Sequence, residues 1–234
     1  MPVPGLIPEP SRNELTIAYN ANVQNVNLFT DLGSPAYPVD VTVFVADGVT
    51  IGAAVAAGQD APNPAFRISS SFAAGSRVYL INRGRIAGGG GIGGEGDRGR
   101  SDGNSASGFI GGGGGGGAGS SSQGGPESTY DIDPGNAATD GSAGTTTTGG
   151  AAGNNDINGN TTGGYDRGGD PQFGGTAIAC NNVDLWIDNT SGEIFAGANG
   201  GDGGRQEGAL PGGAEDPIAG DDLAASVTSV TVAG

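Results

Sequence analysis

Apolar and polar residues alternate most cleanly in Val39-Asp40-Val41-Thr42-Val43-Phe44-Val45, where valine returns at every second position. Period-two alternation places one set of side chains on a single face of a β-strand. Leu15-Thr16-Ile17-Ala18-Tyr19, Phe66-Arg67-Ile68 and Val78-Tyr79-Leu80-Ile81 follow the same rule in shorter runs. Asp47-Gly48 separates the valine run from Val49-Thr50-Ile51 and reads as a turn. No stretch keeps a 3.6-residue period, and Ala53–Ala57 is too short and too near Gly58 to make a stable helix. Residues 14–87 are therefore predicted to form a β-strand-rich domain with a small core. Near the other end, Ser226-Val227-Thr228-Ser229-Val230-Thr231-Val232 gives the tail 214–234 a strand able to join a sheet edge of this chain or of a partner.

The flanking segments break the pattern in two ways. Prolines at 2, 4, 8 and 10 hold residues 1–13 extended, as a docking arm on a neighbouring protein or as a frayed terminus. Across 88–213 alternation gives way to glycine: 43 of the 51 glycines fall between Gly84 and Gly213. Leu, Ile, Val and Phe make up only about 18% of the chain, and the net charge is −16, a composition close to that of disordered chains. Such a tract is either disordered or ordered through its backbone amides. The second state has a known geometry. A polyproline II backbone turns every three residues without internal hydrogen bonds, and glycine lets such helices approach until their amides pair. Gly111–Gly117 would make a rod of roughly 22 Å. Collagen register fails at Gly88–Gly91 followed by Ile92, and Gly93-Gly94-Glu95-Gly96-Asp97 does not fit the calcium-binding nonapeptide repeat.

One unit recurs. Val78-Tyr79-Leu80-Ile81-Asn82-Arg83-Gly84-Arg85-Ile86-Ala87-Gly88 and Val183 to Gly197 both read short strand, Asn-containing turn, G-x-I, then glycine. Val41–Gly52 is a looser copy. The copies are not tandem, so a long solenoid is not implied; they suggest strands that each launch the chain into a layer of glycine helices.

Gly174-Gly175-Thr176-Ala177-Ile178, Val183-Asp184-Leu185-Trp186-Ile187-Asp188-Asn189 and Gly192-Glu193-Ile194-Phe195-Ala196-Gly197 together resemble a cassette of glycine-rich bacteriophage tail proteins. That family includes the fibre-tip adhesins of T-even-type phages; Leu80 to Gly89 matches the same cassette. The resemblance covers roughly residues 78–213. It implies a polyglycine II helix sandwich over 88–213, which with the strands read over 14–87 gives an all-β N-terminal domain plus a polyglycine II sandwich and essentially no α-helix. It also implies a virion protein that docks on other tail or fibre proteins through its N-terminal region, and loops that meet a host cell-surface receptor. A homo-oligomer is compatible with such a role. The alternative is a non-adhesive architectural or decoration protein of the particle. The N-terminal zone, the acidity and the scarcity of long glycine runs depart from the family pattern.

Charge narrows the chemistry. All nine cations are arginine, without lysine or histidine, so no basic patch suits nucleic acid. Arg77, Arg83, Arg85, Arg98 and Arg100 cluster, but Glu95, Asp97 and Asp102 interleave, and solvated ion pairs at loop tips are expected. Without histidine or lysine the usual general bases and paired nucleophiles are missing, so no enzyme, catalytic residue or cofactor is expected. Asp131, Asp133, Asp221 and Asp222 are read as solvated loop carboxylates, with no metal site. Cys180 has no disulfide partner and is expected as a small buried thiol; Trp186 is expected to be structural. The receptor-binding candidates are Arg98, Arg100, Phe109, Tyr130, Tyr165 and Phe173, loop residues with little apolar company. The N-terminus lacks the basic and apolar regions of a secretory signal, and no apolar run nears the ~20 residues of a membrane span. Synthesis in the host cytoplasm and residence in the virion are expected, without membrane insertion.

Overall fold

The computed structural model describes residues 12–54, 64–95, 109–110, 119–121, 141–145, 148, 150–153, 156–157, 173–201, 205–206, 214–215 and 229–232. The alternating segments are strands, and they stack as successive turns of a parallel coil. The first turn holds β1 (Asn13–Tyr19), β2 (Val23–Gln24) and β3 (Val26–Asn27), followed by the four-residue helix α1 (Leu28–Asp31). The second holds β4 (Val39–Val45), β5 (Thr50–Gly52) and β6 (Phe66–Ile68). The third opens with β7 (Arg77–Asn82) and β8 (Arg85–Ala87). There the chain leaves for the glycine-rich tract, in which β9 (Phe109–Ile110) and β10 (Asp156–Ile157) pair antiparallel. It returns as β11 (Ile178–Cys180), and β12 (Asp184–Asp188) and β13 (Glu193–Phe195) build a fourth turn. β14 (Arg205–Gln206) pairs with β15 (Ala214–Glu215), and β16 (Ser229–Val232) closes one edge.

Three sheets result, in the orders β1-β4-β7-β12-β16, β13-β8-β5-β2 and β11-β6-β3. Every pairing in them is parallel except β12 with β16. The two cassettes are therefore direct neighbours, β12 on β7 and β13 on β8, with the looser copy supplying β4 and β5 on the far side. Separation along the chain does not keep the copies apart. Parallel stacking needs only strands that arrive in one direction with one alternation, and the entropy of a long excursion grows slowly with its length.

Register builds the core. In the first sheet Leu15, Val41, Val78 and Leu185 align, as do Ile17, Val43, Leu80 and Ile187. Val41, Val43 and Val78 are fully buried, each contributing about 1.5–3 kcal/mol. Ile51 and Ile86 fill the core from the second sheet, Phe66 and Ile68 from the third. Leu15 and Ile17 stay half-exposed because β1 is a sheet edge. Tyr19 sets the edge of its ring against Phe66 and donates its hydroxyl to Asp31 Oδ2 at 2.8 Å. Burial, reinforced by that carboxylate, pushes the phenol far above its usual range and keeps it a donor. Cys180 is half-exposed rather than buried, since it ends an edge strand. Partial burial still raises its thiol above the ordinary value.

Beyond β8 the backbone stays bonded with almost no side chains. Gly88, Gly91 and Gly94 donate to the carbonyls of Phe195, Ala198 and Gly201 at 2.9, 2.8 and 2.9 Å, every third residue on both sides. A second neighbour is 119–121: Gly90 donates to Ser121 at 2.7 Å, and Ser120 donates to Gly88 at 2.9 Å. A third is Gly175, which donates to Gly89 and accepts from Gly197, both at 2.7 Å. Ser120 ties this array to the coil, its Oγ accepting from the Ala53 amide at 2.7 Å. Space, more than flexibility, demands glycine here. A Cβ on Gly197 would overlap the Gly89 carbonyl, and one on Gly88 the Gly175 carbonyl.

Candidate functional site

The turns that join the first sheet to the second stack at one corner. In the second turn Gly48 takes φ +73°, the left-handed geometry that Asp47-Gly48 predicts. In the third, the buried Asn82 replaces the bonds its own turn lacks. Its Nδ2 donates to Asn189 Oδ1 at 2.7 Å and to the Glu193 carbonyl at 3.1 Å, and its Oδ1 accepts from the Gly84 amide at 3.2 Å. Arg83 grips both Asp188 oxygens, at 3.3 and 2.9 Å. Asp188 also accepts from the Thr190 hydroxyl and amide. The Arg83 bond first, then Thr190, hold its carboxyl well below the usual carboxylate range. Arg85 reaches Glu193 Oε2 through Nε at 2.6 Å and lies 5.9 Å from the Phe195 ring centroid.

An open groove of about 380 Å³ runs along this corner, lined by Asp47, Thr50, Arg83, Arg85, Ser191 and Glu193 among others. Its arginines are already matched to carboxylates on the neighbouring turn. The corner fastens the fourth turn to the third. Arg83 and Arg85 pair with cross-turn carboxylates more than a hundred positions along the chain, which stacking brings beside them. On the outer face of the first sheet Tyr79 and Trp186 sit in register and stack, centroids 4.8 Å apart and planes 12° from parallel.

Of the receptor candidates, Arg98, Arg100, Tyr130 and Tyr165 lie outside the described residues, as do Asp131, Asp133, Asp221 and Asp222. Phe109 opens β9, opposite Ile157. Phe173 is 70% exposed, beside Gly174, whose amide donates to Asn199 Oδ1 at 3.2 Å. An aromatic so exposed, next to a residue wedged against the Gly197 carbonyl, is a side chain presented on a fixed support. Sequence marks Arg83 and Arg85 only as members of a basic cluster and passes over Tyr79, because their partners depend on which turns stack. Among the described residues no three His, Cys, Asp or Glu side chains gather as metal ligands, and no helix is long and apolar enough to cross a membrane.

A stacked parallel coil, continued as a backbone-bonded glycine array with an exposed aromatic at its margin, defines an all-β scaffold protein. Residues 12–172 match the family model of the phage tail fibre adhesin Gp38, well over half of the chain. The chain belongs to that family and is a tail fibre adhesin of the virion. No curated protein and no solved structure matches it. The matched span ends just before Phe173, so β11, β12 and β13, which stack on its strands, lie beyond it.

Proposed function

We propose that this adhesin binds its host receptor without catalysis or cofactor, through loops carried on a polyglycine II sandwich. The contacting residues in this reading are Arg98, Arg100, Phe109, Tyr130, Tyr165 and Phe173. The observation that carries it is the donation from Gly88, Gly91 and Gly94 to Phe195, Ala198 and Gly201. Three residues is the repeat of a polyproline II backbone, and amide bonds to neighbours on three sides are what packed helices of that kind require. The N-terminal region, arm 1–13 with domain 14–87, docks on another tail or fibre protein. The half-exposed Leu15 and Ile17 on β1, whose outer edge pairs with no strand among the described residues, support that part, since an open edge with apolar residues is a template for strand addition.

The test uses phage carrying Phe173→Ala, Tyr130→Ala and Tyr165→Ala, singly and together. The expected outcome is assembled particles that adsorb about tenfold or more slowly, the scale of losing a hot-spot aromatic. Deletion of residues 1–13 should instead release the protein from particles. Wild-type adsorption by the triple variant would remove these three aromatics from the receptor-binding surface.

A further inference from the structure

We propose that β8 and β13 fix the register in which the glycine-rich segment 88–94 and segment 195–201 pair, Arg85 and Glu193 serving as positioning residues with Ile86 and Ile194. The strands align Arg85 with Glu193, Ile86 with Ile194 and Ala87 with Phe195. The glycine bonds continue that alignment with no residue gained or lost on either side, from Gly88 to Phe195 as far as Gly94 to Gly201. Glycine cannot define this alignment alone. Glycine recurs at 88, 91 and 94 on one side and at 197 and 200 on the other, so a slip by the three-residue repeat again meets glycine at the crowded positions and offers the same amide bonds. A strand has the opposite tolerance: an odd slip turns every side chain to the other face. It would expel the fully buried Ile86 from the core, or Ile194 from its partner, and part Arg85 from Glu193. A slip of three suits the glycines and is forbidden to the strands. A slip of two suits the alternation and breaks the three-residue bonding. The two periods work as a vernier, and within the reach of three-residue strands they agree only at the native register. β8 is a firm ruler because β5 holds its other side. Whatever lies beyond the array inherits its position from this pair. This inference rests on the strand and glycine bonds alone, so it stands or falls apart from receptor binding.

The experiment inserts one, two or three glycines between Ala87 and Gly88 of the full-length chain. If the strands hold the register, one insertion drives Ile92 into the buried position of Gly93, and two drive it into that of Gly94. Three move it one whole repeat, to the place of Glu95, and leave glycine at each position from 88 to 94. Amide exchange is read at the array positions and, as a fold control, at Leu80 and Ile187. Array protection should fall about tenfold or more with one or two insertions and return to within about threefold of wild type with three. A loss that grows steadily with insert length would overturn the proposal. So would equal tolerance of all three, or a triplet variant as damaged as the others.

Discussion

β8 and the glycines directly after it belong to one continuous backbone and stay folded by opposite means. Ile86 is fully buried by side-chain packing, while Gly88 is held by amide bonds in a space that no side chain could share. The coil draws its stability from what its side chains add. The array depends on what its residues lack. Glycine also loses more backbone entropy on folding than any other residue, roughly 0.5–1 kcal/mol relative to alanine, so the array needs nearly all of its amide bonds. A side-chain core should therefore lose stability in proportion to the volume removed, and a backbone array should fail at the first atom added.

Placing alanine in each region separates the two. Gly197→Ala adds a Cβ that overlaps the Gly89 carbonyl, and backbone faces it also at Gly175, so no rotamer offers an escape. We expect the largest loss here, above about 4 kcal/mol, or an array that never forms. Leu80→Ala removes volume from a site 1% exposed and should cost about 2–5 kcal/mol with the topology intact. Urea unfolding with amide exchange at Gly91 and Leu80 reads both. A Gly197→Ala protein as stable as wild type would mean that the array yields easily, and the contrast would collapse.

Asn82 sharpens the comparison, because it is a side chain doing the array's kind of work inside the coil. Asn82→Leu keeps the size but deprives Asn189 Oδ1, the Glu193 carbonyl and the Gly84 amide of a buried partner. The expected loss is about 1–3 kcal/mol, smaller than that of Leu80→Ala and greatest near the corner. Melting curves of Asn82→Leu beside Asn82→Asp would check it. If leucine matched wild type, packing rather than bonding would hold the turn.

The strands were legible in the sequence because alternation is local: Val39–Val45 carries its face assignment in its own seven residues. The Asp47-Gly48 turn was legible for the same reason. The asparagine turns were visible as a repeat, but their stacking was not, since nothing near Asn82 points to Asn189. Arg83 and Arg85 show the cost. Sequence gives them nearby acids, and the fold gives them Asp188 and Glu193. Glycine content signalled backbone order or none, and left open which glycines touch. Phe173 was legible as an exposed aromatic, since too few apolar residues surround it to cover a ring.

The smallest effect belongs to the corner ion pair, and its dependence on pH is its signature. Asp188 ionises more readily in the folded protein than in the unfolded chain, because Arg83 and Thr190 bind the carboxylate form. Its stabilisation is thus complete above the unfolded value near ~3.9 and is lost as pH falls from there toward the depressed folded value. Wild type should melt slightly above Asp188→Asn at pH 7, and the gap should narrow below about pH 4. Added salt should also shrink it at neutral pH, since both side chains are partly exposed, 32% for Arg83 and 43% for Asp188. The deficit of Gly197→Ala should respond to neither, because overlap between a Cβ and a carbonyl does not titrate and is not screened. A gap for Asp188→Asn that held constant to pH 3 would show that its hydrogen-bond geometry, not its charge, fastens the fourth turn to the third.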